Sequence, residues 1–268
     1  MCWSGEASTV LAAVGLGTAT YVAHKGESWE LWAPLTYFAL MELLQAATYI
    51  YIDLCGLPQN QILTLLGYVH IAFQPVFANM VALYFIPETV KRRIAGPVYG
   101  VCGAAALAML IKMYPFEWAG LCRVGEEIFC GPTTCSVSGE WHIAWQMPLN
   151  GITYDTFSEW LGRRYGLHEW AYVLAAFIQP LLYGSWRFVA FHWVAGPLLS
   201  DLLTTDQNEY AAVWCLLSIA LCVSVIKTPV RRWLHVERWP LFPLLGYRPA
   251  RHGEDEEEGE PAYSDEQA

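Results

Sequence analysis

The sequence predicts an all-α fold, an integral membrane helical bundle of about seven transmembrane helices, with its N-terminus outside and its C-terminus cytoplasmic. Three observations predict it. The 268 residues are 55% hydrophobic and only 15% charged, against about 25% charged in ordinary soluble domains. The apolar residues gather in blocks of roughly 17–25, the length a helix needs to cross a ~30 Å hydrocarbon core. The alternating pattern of barrel strands is absent.

Taken in order, the blocks are 7–23, 31–52, 62–86, 95–114, 170–186, 188–203 and 210–226. The first is rich in small residues (GLGTAT) and suits close helix packing. MCWSGEAS before it has no basic n-region, so a cleavable signal peptide is not expected. Lys and Arg cluster at KRR, 91–93, and again after the last block as Lys227, Arg231, Arg232, Arg238, Arg248 and Arg251. Both clusters belong on the cytoplasmic side, so an even number of spans separates them. The segment WHIAWQMPLNGITYDTFSEWL, 141–161, carries Asn150, Asp155 and Glu159. As the most polar of the blocks it is expected to lie in the interface or to re-enter the membrane.

This gives a helical bundle over 1–239 with an outer loop, 115–140, and a cytoplasmic tail over 240–268. The end of that tail, HGEDEEEGEPAYSDEQA, supplies much of the net charge of −10; its composition predicts a solvated, disordered extension. No basic, aromatic-interleaved surface points to nucleic acid. Membrane lipids and an apolar small molecule are the partners this composition suggests.

Cys2, Cys55, Cys122, Cys130 and Cys135 all fall on the predicted outer side, where disulfides belong. Cys122, Cys130 and Cys135 are the disulfide candidates, with free thiols and a metal site as alternatives. Their C-x7-C-x4-C spacing lacks the paired C-x2-C of a strong zinc motif. The odd number of outer cysteines leaves at least one thiol unpaired.

Polar residues interrupt the apolar blocks at matching depths. A rise of ~1.5 Å per residue puts Glu42 about 16 Å above the inner end of its span and His70 about 12 Å below the outer end of its own. Gln179 arrives near the same level. Gln45 shares a helix face with Glu42, and Gln74 shares one with His70; His192 falls deeper. Ionised groups at that depth cost roughly 2.5–3.5 kcal/mol each, so they should face inward and find partners. Glu42 and His70 are the candidate catalytic or proton-sharing pair, with Gln45, Gln74, Gln179 and His192 as binding residues. Gln74-Pro75, Gln179-Pro180 and the near-repeat HIAWQMP at 142–148 also suit kinks in which a glutamine amide satisfies the carbonyl that proline frees, at Ile71, Ala176 and Ala144. If 141–161 re-enters, His142 caps the column, and His70, Glu42 and His142 become a candidate ligand set for a transition metal such as zinc.

There is no G-x-S-x-G, H-E-x-x-H or phosphate loop, and no lysine at mid-span in the last block. The start MCWS with Glu6, then WAPLTYFALMELLQ at 32–45 and HIAFQP at 70–75, resembles an uncharacterised family of multi-pass membrane proteins known as a domain of unknown function. The resemblance covers roughly 2–200, matches at Cys2, Glu6, Glu42, His70 and Gln74, and implies a membrane protein without implying an activity. Three functions remain open: an intramembrane enzyme acting on a lipid-like substrate, a proton-coupled transporter, and a helical sensor or receptor.

Overall fold

In the computed structural model, residues 4–152, 169–214, 220 and 226–247 are described. Four long helices open the chain: α1 (Gly5–His24), α2 (Trp29–Tyr49), α3 (Pro58–Tyr84) and α4 (Glu88–Ile111). Their starts follow local chemistry. Ser4 caps α1 by accepting from the Ala7 N–H, Ser28 caps α2 by accepting from the Glu30 N–H, and α3 opens on Pro58, whose missing N–H costs nothing there. α1 lies antiparallel on α2 through small residues. A Cβ at Gly15 would come within 2.7 Å of the Ala39 Cβ, so only glycine allows that approach.

A β-hairpin follows, β1 (Cys135–Ser138) against β2 (Ile143–Gln146), with Cys135 opposite Gln146 and Ser138 opposite Ile143. It sits over the α2–α3 turn. The buried Asn60 amide donates to Tyr51 O and Ser136 O and accepts from the Ser136 N–H, Asp53 receives the Ser138 N–H and hydroxyl, and a disulfide joins Cys55 to Cys135. Trp145 packs on Gly67 of α3. The hairpin turn is held from the other side by the buried Glu209 carboxylate, which accepts from the N–H groups of Glu140, Trp141 and His142 and from the Thr204 hydroxyl.

The chain then re-enters the helical layer as α5 (Trp170–Leu182), interrupted by a π-helical turn at Leu174–Ile178, and as α6, residues 186–203, with a second π turn at Val194–Leu198. A short α7 (Pro229–Leu234) lies beside the ends of α2 and α3. There Arg231 pairs with Glu27 at 2.8 Å and the Val236 N–H donates to Phe85 O.

The expected seven-span, all-α bundle is corrected by this structure. The fold is mostly helical but contains a β-hairpin and two disulfides, and among the described residues only α3 and α4 are long and apolar enough to cross a membrane. α1 and α2 have the length, but Ser8, Thr9, Thr18 and Thr20 on one and Glu30, Glu42, Gln45 and Thr48 on the other dilute their apolar character. α5 is too short because the chain turns at Gly184, whose φ of 101° only glycine adopts freely. The segment expected to be interfacial or re-entrant over 141–161 begins as a strand, so Ala144 pairs across the hairpin with Val137 and no helix carbonyl is freed there. Its residues 153–161, the tail from 248 onward, and Cys2, Cys215 and Cys222 lie outside the described residues.

Candidate functional site

Leu35, Phe38, Glu42, Gln45 and Tyr49 recur at helical spacing along one stripe of α2, which faces α1. Glu42 and Gln45 are both fully buried. Ser8 of α1, equally buried, acts on the Glu42 carboxyl, yet no hydrogen bond of normal geometry reaches either carboxylate oxygen from the described residues. The Gln45 amide oxygen and nitrogen are likewise without partners there. Four polar atoms within one helical turn thus lack a hydrogen bond of normal geometry from the described residues at a buried helix interface.

One turn further, the Tyr49 hydroxyl lies 3.0 Å from His142 Nδ1, which also accepts the Ile143 N–H at 2.8 Å. That backbone donor fixes Nδ1 as an acceptor, so the neutral ring carries its proton on Nε2. Burial pulls the imidazole down to about 3, which keeps it neutral. A polar column, Glu42, Gln45, Tyr49 and His142, therefore climbs from the middle of α2 to the hairpin.

His70 stands apart from this column. Its ring stacks on Tyr37 at 3.8 Å, Tyr37 stacks in turn on Phe77 at 3.7 Å, and the Tyr37 hydroxyl donates to His70 O. No hydrogen bond or ion pair joins His70 to Glu42 among the described residues. Matching depth is not matching direction: Tyr37 and Glu42 are five residues apart, about 140° around the helix at 3.6 residues per turn. The first faces α3 and the second faces α1.

The remaining expected site residues separate as well. Gln74 accepts from the Tyr172 hydroxyl at 3.0 Å. His192 lies in an aromatic box of Phe177, Phe188 and Trp214. Gln179 donates to Asn79 Oδ1 and Val98 O and reaches Cys102 Sγ. Asn79, which the sequence reading passed over, is the centre of that group. Its amide nitrogen donates to Pro75 O and Ala175 O at 2.8 Å each, and its oxygen accepts from Tyr183 and Gln179.

The π turn explains this role. Gln179 N–H bonds back to Leu174 O, five residues away, so Pro180 leaves Ala175 rather than Ala176 without its helical donor. Asn79 fills that vacancy from the neighbouring helix, and Gln179 is freed for other partners. An asparagine four residues after an intrahelical proline is the sequence signal that could have found it.

At the hairpin end, Lys112 is buried and bonded to Glu169 at 2.8 Å, with Glu127 at 3.6 Å. Burial pulls its ammonium down, but the two carboxylates outweigh that and hold it above the ordinary lysine value. The loop beside it is closed by a Cys122–Cys130 disulfide. Of the cysteines expected on an outer side, four thus pair, as Cys55–Cys135 and Cys122–Cys130. Cys102, a free thiol, is buried in the Asn79 group.

Among the described residues no three His, Cys, Asp or Glu side chains gather as metal ligands. The set of His70, Glu42 and His142 is divided between the α3 face and the α1 face, and it does not fit a zinc site. No curated protein and no solved structure matches the chain. A family described as "Family of unknown function (DUF5765)" matches residues 6–235, most of the length, and the chain belongs to that family.

Proposed function

We propose that this chain is an integral membrane protein, inserted through α3 and α4, in which Glu42 is the proton-carrying group of a proton-coupled carrier. The membrane reading is supported by an inversion of the usual surface. Outward positions of the helices are apolar, as at Val10, Val14, Leu43, Ile62, Leu107 and Leu182, while the inward positions hold Ser8, Glu42, Gln45, Asn60, Thr64 and Asn79. An exposed apolar belt of this extent marks contact with lipid or partner surfaces. Charged pairs gather beyond it at two ends, Glu30–Lys91 and Glu27–Arg231 at one and Lys112–Glu169 at the other.

The observation that carries the functional reading is the fully buried Glu42–Gln45 turn, whose side-chain polar atoms receive no hydrogen bond of normal geometry from the described residues. A carboxyl at such a site is stable when protonated and needs a partner when it ionises, which suits a group that loads and unloads a proton. Gln45, Tyr49 and His142 extend from it toward the hairpin as hydrogen-bonding side chains. The expected acid–base pair shared a proton between Glu42 and His70, but His70 stacks on Tyr37 toward α3, and the side chain that acts on Glu42 is the Ser8 hydroxyl. The carrier reading therefore has the better support.

Two measurements test it. Dicyclohexylcarbodiimide, which attacks protonated carboxyls in apolar surroundings, should label Glu42 in membranes, as read by peptide mass. Proteoliposomes with an entrapped pH dye should relax an imposed proton gradient, and Glu42→Gln should slow the relaxation at least about tenfold, the loss of one general proton-transfer group being worth 10² or more. Equal relaxation by wild type and Glu42→Gln would refute the assignment.

A further inference from the structure

At the end of the fold opposite the disulfides, the α1–α2 turn, the last residue of α3, and α7 with the residues flanking it line an open cleft of about 510 Å³. Lys227, Arg231, Arg232 and His235 line it with Tyr84 and a single carboxylate, Glu27. Three permanent cations against one anion leave the cleft with a surplus of two positive charges.

The cations are not equivalent. Arg231 is fixed as a wall: its guanidinium bonds to Glu27 at 2.8 Å and to the Tyr84 hydroxyl, and lies over the Tyr84 ring. Lys227 touches Glu27 at 3.1 Å but its side chain is 65% exposed, so its other donors face the cleft or solvent. The Arg232 side chain makes no hydrogen bond or ion pair with any described residue. Burial and the neighbouring Arg231 hold His235 below the ordinary histidine value, which leaves it an uncharged polar group on the rim. Fixed positive walls with uncommitted donors are the chemistry of a phosphate site.

Position selects the source of the phosphate. Tyr84 ends α3, one of the two helices able to cross a membrane. Trp29 and Trp233, each about half exposed, stand two residues from Glu27 and one from Arg232. Tryptophans beside a basic cluster at the end of a span occupy the headgroup level, where basic pockets hold anionic lipid headgroups.

We propose that this cleft binds the phosphate of an anionic membrane phospholipid, with Lys227 and Arg232 as its cationic ligands and Arg231 as the fixed wall, and so ties α7 to the ends of α2 and α3. The proposal rests on the membrane reading above and is independent of the carrier reading.

The test uses the full chain purified in a neutral detergent. Thermal unfolding is followed while phosphatidylglycerol, phosphatidylcholine, glycerol phosphate or inorganic phosphate is added, for wild type and for a Lys227→Gln/Arg232→Gln double variant. Phosphatidylglycerol should raise Tm saturably in wild type and phosphatidylcholine should not. The double variant should need roughly thirtyfold more phosphatidylglycerol for the same shift, since each of the two surface cations contributes about fivefold toward an anionic headgroup. An identical titration in the double variant overturns the site. Inorganic phosphate or glycerol phosphate matching the lipid at equal concentration overturns the lipid assignment in favour of a soluble phosphate. Alkaline carbonate extraction of the same membranes separates the two readings. Release of wild type into the supernatant refutes membrane insertion, whereas retention of both proteins with an unchanged lipid response refutes only the headgroup site.

Discussion

Replacing Asn79 with leucine keeps the branching of the side chain and removes every hydrogen bond that it makes. The consequences differ among its partners. Pro75 O retains the Cys102 thiol and Gln179 retains Val98 O, but Ala175 O and the Tyr183 hydroxyl lose the contacts described above. An orphaned buried polar group costs about 1–3 kcal/mol, while interhelical pairs in membrane bundles average ~0.6 and reach ~1.7 kcal/mol. Two orphans therefore predict a loss of roughly 2–4 kcal/mol for Asn79→Leu. Tyr183→Phe alone removes one hydroxyl and half of one pair, at about 1 kcal/mol. In the Asn79→Leu background the same change deletes an orphan, and it should be neutral or stabilising. Unfolding in mixed detergent micelles, followed by far-ultraviolet circular dichroism, should thus show a coupling of about 1–2 kcal/mol across the double-mutant cycle. Additivity within ~0.5 kcal/mol, or an Asn79→Leu variant as stable as wild type, would refute the reasoning that Asn79 repairs the α5 kink.

The two disulfides should contribute unequally, because Cys55–Cys135 closes a separation of 80 residues and Cys122–Cys130 one of 8. Chain entropy puts the first near ~4.5 and the second near ~2.5 kcal/mol; thermal unfolding of the paired serine variants should fall in that order, and the reverse order would contradict it. Lys112→Met should cost about 3–5 kcal/mol by stranding Glu169 and Glu127. Since the ammonium is held above the ordinary 10.5, the stabilisation is complete below that pH and is lost as the pH rises through the folded value; an alkaline unfolding titration unchanged in the methionine variant would argue against the triad. His142 has the opposite sign. Its folded value of about 3 lies below the ordinary 6.5, so its stabilisation is present above 6.5 and falls away toward pH 3 as the unfolded ring protonates first. His142→Phe should flatten that acid limb of the stability curve, and an equally steep limb in the variant would exclude His142 as its source.

The legible part of this protein was one-dimensional. Runs of apolar residues marked the course of α1 to α4, and the cysteines of the loop over 115–140 marked disulfide candidates, because run length and residue type are read from neighbouring residues. The same runs did not reveal which helices are both long and apolar enough to cross a membrane, since the polar residues lining the inner faces of α1 and α2 count against apolar character whether or not they are buried. Nor did they reveal the hairpin at Ile143–Gln146, whose HIAWQ resembles the helical HIAFQ of α3 closely enough that the pattern alone could not separate strand from helix.

The candidate site divided along the same line. Glu42 and Gln45 could be recognised as costly groups in an apolar run, and the need for partners followed from that cost. Which partners they meet depended on direction around the helix, and there the tertiary structure decided. Tyr37 turns His70 toward α3, the stripe through Glu42 turns toward Ser8, and a π turn shifts the Pro180 vacancy by one residue into reach of Asn79. The sequence by itself determined where polar groups enter the apolar layer, because composition sets depth along a helix. Only the packing of one helix on the next determined what each group faces, because azimuth and register are settled by contacts between residues far apart in the chain.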